Sequence, residues 1–149
     1  MQQDSELGVN TQKHTQRVER YAGVEMSEDE LYELVCVVYL ESGTQSLRGQ
    51  QAVAEVILNR VIASNFPDTV HDVIFQGMEN EATLQLSTAP HIGKATPDED
   101  QYLAVEQALY GPPVLPSDVV FFSIEGENEY VWGSIEDHVF CYQYPWAVD

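Results

Sequence analysis

The sequence predicts one α+β domain that is mostly helical, with a small antiparallel β element near its C-terminus. Its 149 residues are about the length of a single domain. Residues 27–111 contain capped segments in which apolar residues recur every three or four positions, as they do in amphipathic helices. The last third contains three β-prone runs. With 44% hydrophobic residues, the composition is that of a globular protein with a packed core.

Residues 1–26 are expected to form a loosely packed polar N-terminal arm or linker, ahead of a domain that spans 27–149. Lys13, Arg17 and Arg20 would share one face of this arm if it were helical. Residues 1–8 lack the basic start and apolar centre of a secretion signal. If the protein is exported, we expect its signal to be absent from this sequence.

The first predicted helix begins at the capping box Ser27–Glu30, where the serine and glutamate side chains each accept a backbone N–H. Its apolar face is formed by residues at helical spacing, namely Leu31, Leu34, Val35 and Val38. The following Ser42-Gly43 pair predicts that this helix ends near Leu40.

A second helix is predicted from about Leu47 to Ala63, before the helix-breaking Phe66-Pro67-Asp68. One side of this helix is apolar, and the other carries a stripe of polar residues. The stripe is either a solvated face or the lining of a cleft, and the sequence leaves both readings open. A short third helix is predicted from Thr69 to Phe75. The polar stripe consists of Arg48, Gln51, Glu55 and Asn59.

Residues 76–95 form a long, broken stretch, and such stretches are commonly functional in a compact domain. A fourth helix is predicted to begin within Thr96–Glu99, with Pro97 at its first helical position, and to end at Gly111. An extended, proline-rich connector follows. The three β-prone runs are Val119–Phe122, Tyr130–Trp132 and His138–Tyr142.

The charge of the chain restricts its partners. Six Lys and Arg against 25 Asp and Glu give a net charge of −19. Nucleic acids and anionic membrane surfaces are bound through clustered basic residues, so neither is an expected partner. No apolar stretch approaches the roughly 20 residues that are needed to span a bilayer. We therefore expect a partner that is neutral or cationic.

Several common kinds of catalytic motif are missing from the sequence. It has no phosphate-binding glycine loop and no serine nucleophile elbow. His71, His91 and His138 lack the spacing of zinc ligands, so we expect neither a metal nor another cofactor. Cys36 and His138 could formally act as a nucleophile pair, but burial in a run of valines raises the pKa of a thiol. Whether Cys36 and Cys141 pair cannot be read from the sequence.

Glu41 is the strongest candidate for catalysis. It follows Val37-Val38-Tyr39-Leu40, at the point where the first helix runs into Ser42-Gly43. A carboxyl group beside apolar and aromatic neighbours is partly desolvated, which favours its protonated form. Cleavage of a glycosidic bond needs such a proton donor. The alternative is a surface carboxylate at a helix end.

Several motifs occur together between residues 28 and 142. The segment Leu-Glu-Ser-Gly ends the first helix, and Gly49–Val61 reads Gly-Gln-Gln-Ala-Val-Ala-Glu-Val-Ile-Leu-Asn-Arg-Val. Phe66–Val70 reads Phe-Pro-Asp-Thr-Val, and Leu84–Ser87 contains Gln-Leu-Ser. Together these motifs resemble the SleB-type cell-wall hydrolases, the spore-cortex-lytic family.

This resemblance implies a lysozyme-like fold and a lytic transglycosylase that cuts the glycan strands of peptidoglycan, its expected partner. It places Glu41 at the family's single catalytic glutamate. That residue protonates the oxygen between N-acetylmuramic acid and N-acetylglucosamine, and then accepts the proton of the muramic 6-hydroxyl. The product carries a 1,6-anhydromuramic end.

The same resemblance implies which residues bind the sugar. Gln85 and Ser87 would line the cleft, and Tyr39, Tyr130 and Trp132 are candidate stacking surfaces for sugar rings. We expect a monomer without cofactor that acts outside the cell, in the cell wall or spore cortex. The alternatives are a non-catalytic peptidoglycan-binding or germination-associated module, and a muramidase that hydrolyses the same bond.

The sequence also departs from the family pattern. Leu40 replaces the usual glycine before the glutamate, and Leu86 replaces a phenylalanine in the Gln-Phe-Ser motif. Residues 44–46 contain no acid, although family members commonly have a second acid there. Glu55 stands where the family prefers a small residue. If its helix faces Glu41 across the cleft, Glu55 is a candidate second carboxylate for hydrolysis.

Overall fold

The computed structural model describes residues 16–80 and 84–147. It confirms the predicted α+β class, because four helices precede a small antiparallel sheet at the C-terminal end of the chain. The helices are α1 (Glu28–Ser42), α2 (Leu47–Ile62), α3 (Val70–Ile74) and α4 (Glu99–Tyr110), and the strands are β1 (Val119–Ser123), β2 (Val131–Ile135) and β3 (His138–Tyr142). Short 3₁₀ segments lie at Glu19–Tyr21, Ala89–Lys94 and Pro145–Ala147.

Helix α1 begins at the predicted capping box, in which Ser27 and Glu30 exchange two hydrogen bonds. It continues to Ser42, two residues beyond the predicted end at Leu40. The reason is local, since the Ser42 hydroxyl donates to the carbonyl of Val38 at 2.7 Å and the Gly43 N–H to that of Tyr39 at 2.9 Å. The two additional residues place Glu41 inside the helix.

Helix α2 is the centre of the fold, and every residue from Gly49 to Val61 is buried. The expectation that its polar stripe is a solvated face is therefore wrong for three of the four residues, Gln51, Glu55 and Asn59. Gln51 donates to the carbonyl of Pro112, and Asn59 donates to the carbonyls of Pro116 and Val119. These two side chains satisfy backbone carbonyls of the connector and of the first residue of β1. Arg48, the fourth residue of the stripe, is exposed.

Helix α4 begins at Glu99, with Asp98 as its N-cap. Pro97 therefore precedes the cap, and the prediction that it occupies the first helical position is wrong. The physical reason is a second capping box, in which the Gln101 side chain accepts the Asp98 N–H at 2.7 Å. The buried Gln101 amide also donates to Gln50 on α2 at 3.0 Å, which fixes where α4 starts.

The sheet has the strand order β1-β3-β2, and both pairs are antiparallel. A two-residue turn joins β2 to β3, and Glu136 in that turn has a positive φ of 53°. The Glu136 carboxylate accepts the Ser46 N–H at 2.8 Å, at the N-terminus of α2. A carboxylate is stabilised there by the helix dipole. This contact docks the hairpin onto the helical core.

The described part of the predicted N-terminal arm, residues 16–26, packs against the core. Tyr21 is fully buried, and its hydroxyl donates to Asn59 Oδ1 at 2.6 Å. Arg20 donates to the carbonyl of Leu115 at 2.7 Å. The expectation of loose packing is wrong for this stretch, because Tyr21 supplies both a large apolar ring and a buried hydrogen bond. Lys13 lies outside the described residues.

Both cysteines, Cys36 and Cys141, are buried and free. Burial raises the pKa of the Cys36 thiol, as expected for a cysteine in an apolar helix face. Within residues 16–80 and 84–147, no helix is both long and apolar enough to cross a bilayer.

Candidate active site

Glu41 lies in the last turn of α1, half-buried, where two surface hollows meet. One hollow, of about 300 Å³, is bounded by residues 85–87 and by the C-terminal end of β1. The other, of about 320 Å³, is formed by the end of α1 itself together with Thr44. Both hollows are lined by Glu41, and we call the two together the Glu41 groove.

Thr88 fixes the Glu41 side chain. Its hydroxyl donates to Glu41 Oε2 at 2.6 Å, a short hydrogen bond in a partly buried setting. Thr88 immediately precedes the 3₁₀ segment Ala89–Lys94, and the buried Leu86 anchors the chain two residues earlier. Sequence reasoning did not single out Thr88, although it directly follows the Gln-Leu-Ser motif. A hydrogen bond to a carboxylate is stronger than one between neutral groups and limits its rotamers.

We expect Thr88→Val to lower kcat for wall digestion by roughly ten- to a hundredfold, because a hydrogen bond to a charged group contributes about 1.5–3 kcal/mol. The variant has nearly the same volume, so KM should change little. Steady-state kinetics on purified walls test this, with Thr88→Ser as the control that keeps the hydroxyl. A Thr88→Val enzyme with the wild-type kcat would show that the contact has no positioning role.

The structure brings together four of the residues that the sequence selected. Gln85 and Ser87 are exposed and line the Glu41 groove on one side. Tyr39 borders the groove on the other side, and its hydroxyl accepts a hydrogen bond from Thr96 at 3.1 Å. These positions suit side chains that contact a bound sugar.

Tyr130 and Trp132 lie elsewhere, and neither of them lines the two hollows beside Glu41. Trp132 packs against the main hydrophobic core. Tyr130 contacts the rings of Tyr144 and Trp146. The structure therefore does not place these two aromatics where they could stack on a sugar at Glu41, because β2 lies on the far side of β3 from β1.

Glu55 is not part of the groove. It is fully buried and accepts hydrogen bonds from the backbone N–H groups of Val114 and Leu115, at 2.9 and 2.8 Å, and from the Gln51 amide at 2.9 Å. The hypothesis that Glu55 is a second carboxylate facing Glu41 across the cleft is therefore wrong. The Glu55 carboxyl group binds the backbone of the connector, and its side chain is not accessible to a substrate.

The burial of Glu55 predicts a pH dependence of stability. Desolvation raises the pKa of Glu55 above its ordinary value of 4.5, and its hydrogen bonds offset this only in part. The folded protein then holds that proton more tightly than the unfolded chain does. Its contribution to the free energy of unfolding should fall as pH rises from about 4.5 through the raised pKa. Urea unfolding between about pH 4 and pH 8 should show a shallower decline for Glu55→Gln, and identical slopes would contradict the assignment.

The lining of the Glu41 groove includes Phe122, Ile124 and His138, which the sequence did not assign to it. Phe122 and Ile124 come from β1 and the residue after it, and Ile124 is 75% exposed. His138 is buried, and its ring packs perpendicular to that of Phe122 with the centroids 5.3 Å apart. Their position depends on strand register, which the sequence pattern did not specify. In the described part of the chain, no three His, Cys, Asp or Glu side chains converge as metal ligands.

A buried cation lies behind the groove. Arg60 is almost fully buried, and its Nε donates to the carbonyl of Val120 at 2.7 Å. Burial lowers the pKa of Arg60 to about 10, while the charges of Glu127 and Glu41 act in the opposite direction. Arg60 therefore stays charged at neutral pH.

Comparison with known proteins identifies relatives by sequence. A family described as Cell Wall Hydrolase matches residues 44–141. The spore cortex-lytic enzyme of Bacillus cereus is 32% identical over 123 residues, an alignment that covers 77% of this chain and 45% of that protein. The spore cortex-lytic enzyme of Halalkalibacterium halodurans is 31% identical over 121 residues, covering 77% of this chain and 35% of that protein. The chain thus spans less than half the length of these two relatives.

Solved structures give the same result for the fold. The catalytic domain of the germination-specific lytic transglycosylase SleB from Bacillus anthracis superposes with a TM-score of 0.62 at 31% identity, over 77% of this chain and 95% of that one. The catalytic domain of the Bacillus cereus SleB protein superposes with a TM-score of 0.64 at 26% identity, over 83% of this chain and 97% of that one. The expected lysozyme-like fold is confirmed.

Proposed function

Because the chain belongs to the cell wall hydrolase family, we propose that it is a peptidoglycan-cleaving enzyme of the lytic transglycosylase type, with Glu41 as its catalytic residue. The substrate is the bond between N-acetylmuramic acid and N-acetylglucosamine in the glycan strand. The relatives described above are the spore cortex-lytic enzymes and SleB catalytic domains, which supports this class of substrate.

In the first step of this mechanism, protonated Glu41 donates its proton to the glycosidic oxygen. The bond from that oxygen to C1 of the muramic sugar breaks, and the N-acetylglucosamine side leaves as an alcohol. In the second step, the Glu41 carboxylate takes the proton of the muramic 6-hydroxyl while O6 bonds to C1. Glu41 ends protonated again, and no water is consumed.

The observation that carries this proposal is the composition of the Glu41 groove. Glu41 is the only acid among the described residues that line its two hollows. Hydrolytic glycosidases mostly use a pair of carboxyl groups, one of which is a nucleophile or activates water. A single carboxyl group that acts first as acid and then as base suits transglycosylation.

Mass spectrometry of digested peptidoglycan tests the reaction type. We expect soluble fragments that end in 1,6-anhydromuramic acid, which are lighter than hydrolysis products by the mass of one water. Fragments with reducing muramic ends would instead identify a muramidase. Walls that retain the protein but release no fragments would identify a non-catalytic binding module.

We also propose where and how the protein works. Its substrate places it outside the membrane, at the cell wall or in the spore cortex. The groove is formed by one chain, so a monomer suffices for catalysis. The net charge of −19 argues against nucleic acid as a competing partner.

A further inference from the structure

Three aromatic rings form a surface cluster, which we call the aromatic platform: Tyr130, which precedes β2, and Tyr144 and Trp146, which follow β3. Trp146 is 74% exposed. Its ring stacks on that of Tyr144, with the centroids 5.0 Å apart and an interplanar angle of 24°. Tyr130 meets both of these rings edge-on, at 6.4 Å. An indole face of this size is thus open to a ligand.

Contacts with the rest of the protein support the aromatic platform. The Tyr144 ring packs edge-on against Phe121 at 5.5 Å, and Phe121 contacts the buried Arg60 guanidinium at 5.6 Å. The Ala147 N–H donates to the Tyr144 carbonyl at 3.0 Å, which closes the turn that carries Trp146. The exposed ring is therefore held in place before a ligand arrives. Rigid aromatics of this kind provide contact area at a low cost in entropy.

A hollow of about 240 Å³ lies beside the segment that carries Trp146, and its lining is mostly apolar with a few polar groups. Asn65, Asp118 and Gln143 line it, and so does Ala147, the neighbour of Trp146. The Gln143 amide donates to Asn65 Oδ1 at 2.9 Å, which orders the two side chains. An apolar ring face beside a mostly apolar hollow with an ordered amide pair can recognise a ligand that has both an apolar face and hydroxyl or acetamido groups.

The local charge selects among such ligands. From Ala95 to the C-terminus the sequence has no Lys or Arg and eleven acids. A nucleic acid would also stack on aromatic rings, but its phosphates would be repelled here. The negative ring faces favour the weakly positive C–H groups of a sugar. A neutral saccharide fits both conditions.

We propose that the aromatic platform and the hollow beside it form a second glycan-binding site, which binds a neutral N-acetylhexosamine unit. The choice of glycan rests on the proposed function. Asp118 and Val120 line this hollow, whereas Ser123 and Ile124 line the Glu41 groove. The two sites therefore lie near opposite ends of β1, about 13 Å apart along the strand at roughly 3.3 Å per residue. Residues 142–147 also lie beyond the span that matches the family.

Nuclear magnetic resonance tests this site directly, because the chain has only two tryptophans. The indole N–H resonance of Trp146 is assigned as the one lost in Trp146→Phe. The Glu41→Gln protein is titrated with triacetylchitotriose, a neutral trimer of N-acetylglucosamine. We expect the Trp146 resonance to shift and saturate. Trp146→Ala should weaken retention on purified walls roughly two- to tenfold, while Tyr102→Ala, an exposed tyrosine on α4, should not.

The outcomes separate this site from the catalytic proposal. A Trp146 resonance that does not move at millimolar trimer, or equal wall retention of wild type and Trp146→Ala, would overturn the second site and leave wall cleavage untouched. Conversely, a saturable Trp146 shift in the titration, together with a wild-type protein that releases no wall fragments, would retain the second site and refute the proposed enzyme.

Discussion

Glu41→Gln is expected to reduce wall digestion by about 10²- to 10⁴-fold, the range over which a general acid–base residue contributes. The amide keeps the shape of the side chain and can still contact the Thr88 hydroxyl that holds Oε2 in the wild type. It cannot donate a proton to the glycosidic oxygen or accept one from the 6-hydroxyl. Release of soluble fragments from purified walls over time measures the loss.

The control for this variant is Glu106→Gln, which removes the same charge from an exposed position on α4. It should digest walls at the wild-type rate. The unfolding temperatures of both variants should match that of the wild type. The loss of activity in Glu41→Gln then reflects the missing proton donor and not unfolding. If Glu41→Gln digests walls as well as Glu106→Gln does, another residue is the proton donor.

Glu55→Ala is expected to lower the free energy of unfolding by about 3–5 kcal/mol. The change leaves the N–H groups of Val114 and Leu115 without their acceptor and removes one of the two acceptors of the Gln51 amide, in a buried or partly buried setting. Each unpaired buried group costs about 1–3 kcal/mol. Since single domains are stable by only about 5–15 kcal/mol, this is a large share of the total.

Urea unfolding with a linear extrapolation measures this cost. Glu106→Ala serves as the matched control, because a surface glutamate should change stability by less than about 0.5 kcal/mol. The loss of stability for Glu55→Gln should lie between those of Glu55→Ala and Glu106→Ala. The glutamine keeps one acceptor oxygen, but its NH₂ group faces other N–H donors. Equal unfolding midpoints for Glu55→Ala and Glu106→Ala would mean that the buried hydrogen bonds do not stabilise the connector.

The limits of a helix can be predicted from the sequence where capping and helix-breaking residues mark its start and end. The capping box at Ser27 and the breaker at Pro67 set the limits of the first two helices to within a few residues. Glu41 was selected because a carboxyl group at the end of an apolar helix is chemically unusual, and the structure places it on a groove. Gln85 and Ser87 were selected through family resemblance, and they line that groove.

Other features depend on partners that are distant in sequence. Gln51, Glu55 and Asn59 follow the pattern of a polar helix face, and only the position of the connector shows that this face is buried. The contact from Thr88 to Glu41 joins residues 47 positions apart. Tyr21 looks like part of a polar arm until its hydroxyl meets Asn59. Periodicity along one helix holds no information about such pairs.

The connection between α2 and residues 112–120 has a consequence for how the protein unfolds. Side chains of one central helix, rather than neighbouring strands, hold the backbone that leads into the sheet. The sheet therefore cannot separate from the helices without exposing the middle of α2. The two halves of the molecule should melt in one cooperative transition, and the walls of the groove should persist together until the whole domain is lost.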